Sequence, residues 1–142
     1  MRIFVDANIL LDIYDSTRKT HQYSLETYQF AVKNKFQLFT SCDLISTIYY
    51  FNAKVNKTQA MLNIQDINKT LKIIEFSNLE VEQTCQLMLQ DEAYQDLEDT
   101  IQYIMSKKEQ CDLIISNDQN FVSKDIKLMT SEAFCKENHL AV

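Results

Sequence analysis

The sequence contains no glycine and no proline among its 142 residues. That absence excludes every motif built on glycine, including the phosphate loop and the dinucleotide fingerprint, whose backbones approach phosphate closely because a side chain is missing. Turns must be made by Asn, Asp, Ser and Lys, which blurs element boundaries. Basic charge is also scarce: 14 Lys and Arg face 20 Asp and Glu, for a net charge of -6. There is no global field to collect polyanions, so a nucleic-acid substrate requires a metal ion or a local basic strip. Only two histidines are present, His21 and His139, and neither has a clustered partner that would make it a ligand or a catalytic base. The four cysteines, Cys42, Cys85, Cys111 and Cys135, form no metal or disulfide pattern and read as small buried hydrophobes in a reducing compartment. No apolar run approaches the roughly 20 residues of a membrane span, and Arg2 leads into a strand instead of a signal-peptide core. A cytoplasmic protein without membrane association is expected.

What is present is ordinary for a globular chain: 46% hydrophobic and 24% charged residues. The length suits one domain over residues 1–142 that buries roughly 70% of its unfolded surface. The pattern predicts a strand at Ile3-Phe4-Val5, a helix from Asn8 to about Tyr14 and a second from about His21 to Val32. A strand over Phe36–Phe39 follows, and Thr40-Ser41 are placed as the cap of a helix running through Leu44, Ile48 and Phe51. Helices are predicted from Thr58 to about Leu71, from Leu79 to Leu89 and from Leu97 to Lys108, with a short apolar segment at Leu71–Phe76 and a loop at Asp91–Asp96. Asp112–Ser116 reads as a second buried strand, Ile126–Met129 as a last strand and Ser131–Glu137 as a last helix. Strands separated by helices imply a three-layer α/β/α sandwich with a mainly parallel central sheet and right-handed crossovers.

The strong strands run into acidic residues. Val5 delivers Asp6, and Ile114-Ile115-Ser116-Asn117 leads to Asp118. Asp96-Leu97-Glu98-Asp99 opens the helix before the second buried strand, so three acidic groups can meet at one edge of the sheet. On that helix Leu97, Ile101, Ile104 and Met105 mark the expected core face, which turns Asp99 toward water or a cleft. Each acid taken alone has a structural role: Asp6 as a helix cap, Asp118 as a turn residue, the third cluster as first-turn acids. Together they offer the hard oxygen donors that Mg²⁺ or Mn²⁺ takes, and a metal so placed can polarise a phosphodiester and activate water.

These residues resemble the PIN-domain family, small metal-dependent ribonucleases that include the VapC-type toxins of toxin-antitoxin pairs. Ile3–Asp12 looks like the family's opening motif, Asp96–Gln102 like its central acidic motif, and Asp112–Phe121 like its closing strand and turn, so the likeness spans essentially the whole chain. The resemblance implies a PIN-like fold, RNA cleavage with Mg²⁺ or Mn²⁺, and Asp6, Asp99 and Asp118 as catalytic metal ligands. It also implies support from Asn8, Ser116 and Asn117, a homodimer, and an antitoxin partner. One position departs from the family. Where a glutamate is usual in the helix after the second strand, this chain has Thr47. Asp43 lies one helical turn earlier, on the same face, and can partly substitute; Asp96 and Glu98 are further candidates as ligands. Arg18 and Lys19, in the loop after the first helix, are candidate phosphate contacts. The alternative reading is a catalytically silent PIN-like module that binds RNA or protein and has lost its chemistry with the glutamate.

Overall fold

The computed structural model describes all 142 residues, Met1 to Val142. Its element order is β1 (Arg2–Val5), α1 (Ala7–Ile13), α2 (His21–Lys33), β2 (Gln37–Ser41), α3 (Cys42–Ala53), α4 (Lys57–Thr70), β3 (Lys72–Ile74), α5 (Asn78–Gln90), α6 (Leu97–Lys108), β4 (Leu113–Ile115), β5 (Lys127–Met129) and α7 (Ser131–Glu137). The five strands form one sheet in the order β3-β2-β1-β4-β5. Every neighbouring pair is parallel.

The strand sequences explain this placement. Strands covered on both faces by helices read as continuous apolar runs, and Phe4, Val5, Leu113, Ile114 and Ile115 are all buried in the centre of the sheet. The chain runs from β1 outward to β2 and β3, then returns past β1 to β4 and β5. Because crossovers are right-handed, the two directions of travel put their helices on opposite faces. The helix contacts agree: α1 packs on α2 and α3, α3 on α4, and α2 on α7, while α5 pairs with α6. The result is an α/β/α sandwich. Between β1 and β4 the order reverses, and at such a point the carboxyl ends of the strands open a crevice. Phe4 pairs with Ile114 and Val5 with Ile115, so the residues that follow, Asp6 and Ser116, stand side by side at that crevice.

Four sequence expectations are corrected. β2 runs on through Thr40 and Ser41, past the expected end at Phe39; Ser41 is the N-cap of α3 as expected, but its hydroxyl donates to the Asp43 carboxylate instead of accepting from the helix backbone. Leu97 is 55% exposed and is no part of the core. The buried positions of α6 are Thr100, Gln102, Tyr103, Ile104, Met105 and Ser106, because α6 is wedged between the sheet and α5 and so buries polar residues beside apolar ones. Of the cysteines, Cys111 and Cys135 are buried, whereas Cys42 and Cys85 are exposed free thiols. Phe51, expected in line with the buried Leu44 and Ile48 on α3, is exposed.

Candidate active site

Asp6 is the first residue past β1, only 6% exposed, and its backbone N–H continues the ladder to the carbonyl of Ile115 at 3.0 Å. Both oxygens of its carboxylate accept hydrogen bonds. Oδ1 accepts from the Ala7 N–H at 2.7 Å, capping α1, and Oδ2 accepts from Ser116 Oγ at 2.7 Å and from Asn8 Nδ2 at 3.1 Å. Burial is the largest influence on Asp6 and raises its pKa above the ordinary aspartate value; the three donors oppose that shift and the Asp118 charge adds to it. The helix-cap role and a place in the site thus coexist in one side chain.

The turn after β4 is tied to the same group. Asn8 Oδ1 accepts from the Asn117 N–H at 3.0 Å, Asn8 Nδ2 also reaches Ser116 Oγ at 3.3 Å, and Ser116 Oγ accepts from the Asp118 N–H at 3.1 Å. Asp118 in turn accepts the Asn120 N–H at 2.9 Å. Asn8, Ser116 and Asn117 therefore set the positions of Asp6 and Asp118 from both strands.

Helix α6 brings its N-terminus to this edge. Asp96 caps it, Oδ1 accepting from the Asp99 N–H at 2.8 Å, and Asp99 is half-buried. Burial, followed by the charges of Asp118, Asp96 and Asp6, pushes Asp99 up to about 7. Glu98 is raised as well, first by burial and then by the charges of Asp6, Asp43, Asp96 and Asp118. The structure accordingly brings Asp6, Asp43, Asp96, Glu98, Asp99 and Asp118 within one electrostatic field. None of the six is in an ion pair with Lys or Arg. Thr47 sits half-buried on α3, one turn beyond Asp43.

The outlying candidates have other surroundings. Arg18 Nε is paired with Asp12 at 2.6 Å, so part of its guanidinium holds the α1–α2 loop. Lys19 is exposed. Sequence reasoning missed Asp12 and Gln102. Asp12 is 1% exposed and also accepts from Thr20 Oγ1, Ser24 Oγ and Asn117 Nδ2, linking α1, α2 and the β4 turn. Gln102 is fully buried, with Nε2 donating to Asp43 Oδ2 at 3.0 Å and Oε1 lacking any donor. Its signal was its spacing, three residues after Asp99 on one helical stripe.

Acidic side chains thus gather where a parallel sheet reverses its strand order, beside a helix with acids in its first turn. A family model for the PIN domain matches residues 2–120, and the chain belongs to the PIN-domain family. It is 45% identical over 135 residues to Ribonuclease VapC1 of Aquifex aeolicus, covering 95% of this chain and 94% of that protein. Among solved structures, the fold is shared with VapBC2 of Rickettsia felis bound to a promoter DNA fragment, at a TM-score of 0.64 and 16% identity over 92% of this chain and 98% of that one. It is shared too with Mycobacterium tuberculosis VapC20, a sarcin-ricin loop cleaving toxin, at a TM-score of 0.66 and 14% identity over 84% of this chain and 92% of that one.

Proposed function

We propose that this chain, as one PIN-like unit over residues 1–142, is an endoribonuclease that hydrolyses RNA phosphodiesters and serves as the toxin of a toxin-antitoxin pair. The ribonuclease relative at 45% identity supports the activity. The observation that carries the site is the collection of carboxylates at the β1/β4 edge with no cation paired to them, where burial and then the charges of Asp118, Asp96 and Asp6 push Asp99 up to about 7. The donor set is all hard oxygen, which fits Mg²⁺ or Mn²⁺. The carboxylates are not drawn together as a finished cage.

Asp6, Asp99 and Asp118 would hold the ion, with Asp43, Asp96 and Glu98 as further carboxylates. A bound divalent cation supplies positive charge against the phosphodiester and lowers the pKa of the attacking water. This chain's residues do the rest. Asn8 and Ser116 lock the Asp6 carboxylate in one orientation, Asn117 ties the β4 turn to α1 and α2, and Asp99, its pKa raised in the cation-free chain, would hold the ion as a carboxylate. Lys19, and the part of Arg18 not committed to Asp12, are the candidate phosphate contacts. The partner is an antitoxin protein, supported by the VapBC assemblies among proteins of this fold, and the assembly is a homodimer. The setting is cytoplasmic; no helix is long and apolar enough to cross a membrane.

The test is Asp6→Asn, which keeps the side-chain shape but removes the charge. Metal-dependent cleavage of a mixed RNA pool is expected to fall by at least about a hundredfold, with the fold retained by circular dichroism. Unchanged cleavage would sink the proposal. Thr47, in place of the usual glutamate, favours a second reading, a silent RNA- or protein-binding module. Absence of both Mn²⁺ binding and cleavage by the parent chain would select it.

A further inference from the structure

We propose that Gln102 and Ser41 are positioning residues that hold Asp43 as a fourth carboxylate of the acidic edge, in the role the family gives to the glutamate aligned with Thr47. The proposal rests on the metal-dependent reading above and extends it to residues with no role so far.

Gln102 is a polar side chain at 0% exposure in a helix whose neighbouring positions face the sheet. Burying an amide without partners is unfavourable, so its hydrogen bonds say what it is there for. One end reaches 59 residues back in the chain: Nε2 donates to Asp43 Oδ2 at 3.0 Å. Ser41, also fully buried, donates its hydroxyl to the other carboxylate oxygen, Asp43 Oδ1. The two oxygens of one carboxylate are thus fixed by two elements, β2 and α6, and Asp43 cannot swing out to solvent without stranding two buried donors. A first-turn acid that only favoured the α3 dipole would need neither.

The clamp turns Asp43 toward the site. The Asp43 charge acts on Glu98 together with those of Asp6, Asp96 and Asp118, which places Asp43 in the same field. Asp43 and Thr47 are one turn apart on α3, so carboxylates at either position project from the same face. The remaining amide atom, Gln102 Oε1, is buried without a donor. That leaves one acceptor for a donor brought to the edge with a cation, such as a coordinated water. Outer residues of this kind orient metal ligands, and removing them weakens metal affinity by about 10- to 100-fold.

The experiment is calorimetric titration of the full chain with Mn²⁺ at neutral pH, with thermal unfolding run alongside. The variants are Asp43→Asn, Gln102→Leu, Ser41→Ala, Thr47→Glu and the double variant Asp43→Asn/Thr47→Glu. Asp43→Asn is expected to weaken Mn²⁺ binding by about tenfold or more, and Gln102→Leu and Ser41→Ala by about tenfold each through the freed carboxylate. Adding Thr47→Glu to Asp43→Asn is expected to recover most of the lost affinity. A purely structural role would move the unfolding temperature and leave Mn²⁺ affinity alone. If Gln102→Leu fails to fold, Ser41→Ala reads the other half of the clamp. Parental affinity in Asp43→Asn, or no recovery by Thr47→Glu, overturns this inference alone. Failure of the parent to bind Mn²⁺ overturns the metal-dependent reading beneath it.

Discussion

Asp99 gains protons where most carboxyls have lost theirs. Its pKa of about 7 lies above the ordinary 3.8, so between those values the folded chain holds a proton that the unfolded chain has released. A group raised in this way contributes stability that is full below its unfolded pKa and is lost as pH climbs through its folded pKa. Asp6 and Glu98 shift in the same direction. Asp15, Glu80, Asp91 and Asp125 are lowered, so their contributions vary only under more acid conditions and do not interfere. The cation-free chain is therefore expected to melt at a higher temperature at about pH 5.5 than at about pH 8, with Asp99→Asn flattening the difference. Calorimetry in chelator checks this, and a flat profile in the parent would contradict it. Asp12 is a residue whose loss should harm the fold. It is 1% exposed and accepts from Arg18, Thr20, Ser24 and Asn117. Asp12→Ala strands several buried donors, and a destabilisation of about 2–4 kcal/mol is expected in urea unfolding.

At the level of elements, the missing glycines leave a visible mark. Helices α2, α6 and α7 each end in the same motif, with Lys35, Gln110 and His139 in the left-handed region at φ of 58°, 52° and 55°. In each, the next residue bonds back five positions: Phe36 N–H to Ala31, Cys111 N–H to Ser106 and Leu140 N–H to Cys135, at 3.0, 2.9 and 2.9 Å. Glycine is the usual occupant, because a Cβ is strained there. Replacing Lys35, Gln110 or His139 by Gly is expected to raise stability by about 0.5–1 kcal/mol each, net of the extra freedom of the unfolded chain. Chemical denaturation would show it, and a loss of stability would contradict it. The elements themselves were legible in the sequence. The extents of α6 and α7 match the expected spans, because Asp96 and Thr130 are strong caps whose side chains bond into the first turn. The end of β2 was misread, because Thr40 and Ser41 have the composition of a cap while their backbone continues the strand, and Ser41, though it is the N-cap of α3, spends its hydroxyl on Asp43. Leu97 was misplaced because periodicity assumes that the buried face is apolar, and the inner face of α6 carries Gln102 and Ser106.

Seen across the whole molecule, strand order was not written in any one segment, yet the gathering of acids at one edge was legible, because each lies at the end of a strand or the start of a helix and the parallel sheet sends those ends to one side. The pairing of Gln102 with Asp43 was invisible, since it joins two polar residues across the site that share no local pattern. The charge balance of the molecule carries a last consequence. Arg2, Arg18, Lys72, Lys107, Lys108, Lys124, Lys127 and Lys136 are all in ion pairs with carboxylates. That leaves Lys19, Lys33, Lys35, Lys54, Lys57 and Lys69 outside ion pairs, and Lys54 lies over the rings of Tyr50 and Phe51. These lysines are scattered over loops and helix ends, and no basic strip runs to the carboxylate edge. On the proposed function, RNA would be held by the cation and a few local contacts, against a net charge of -6. Each phosphate neutralised on a single strand contributes about -0.7 to the slope of log affinity against log salt. With two or three such contacts, a slope no steeper than about -3 is expected for fluorescently labelled RNA bound to the Asp6→Asn chain in KCl. A slope beyond about -5 would require an extended basic surface and would move the RNA path away from the β1/β4 edge.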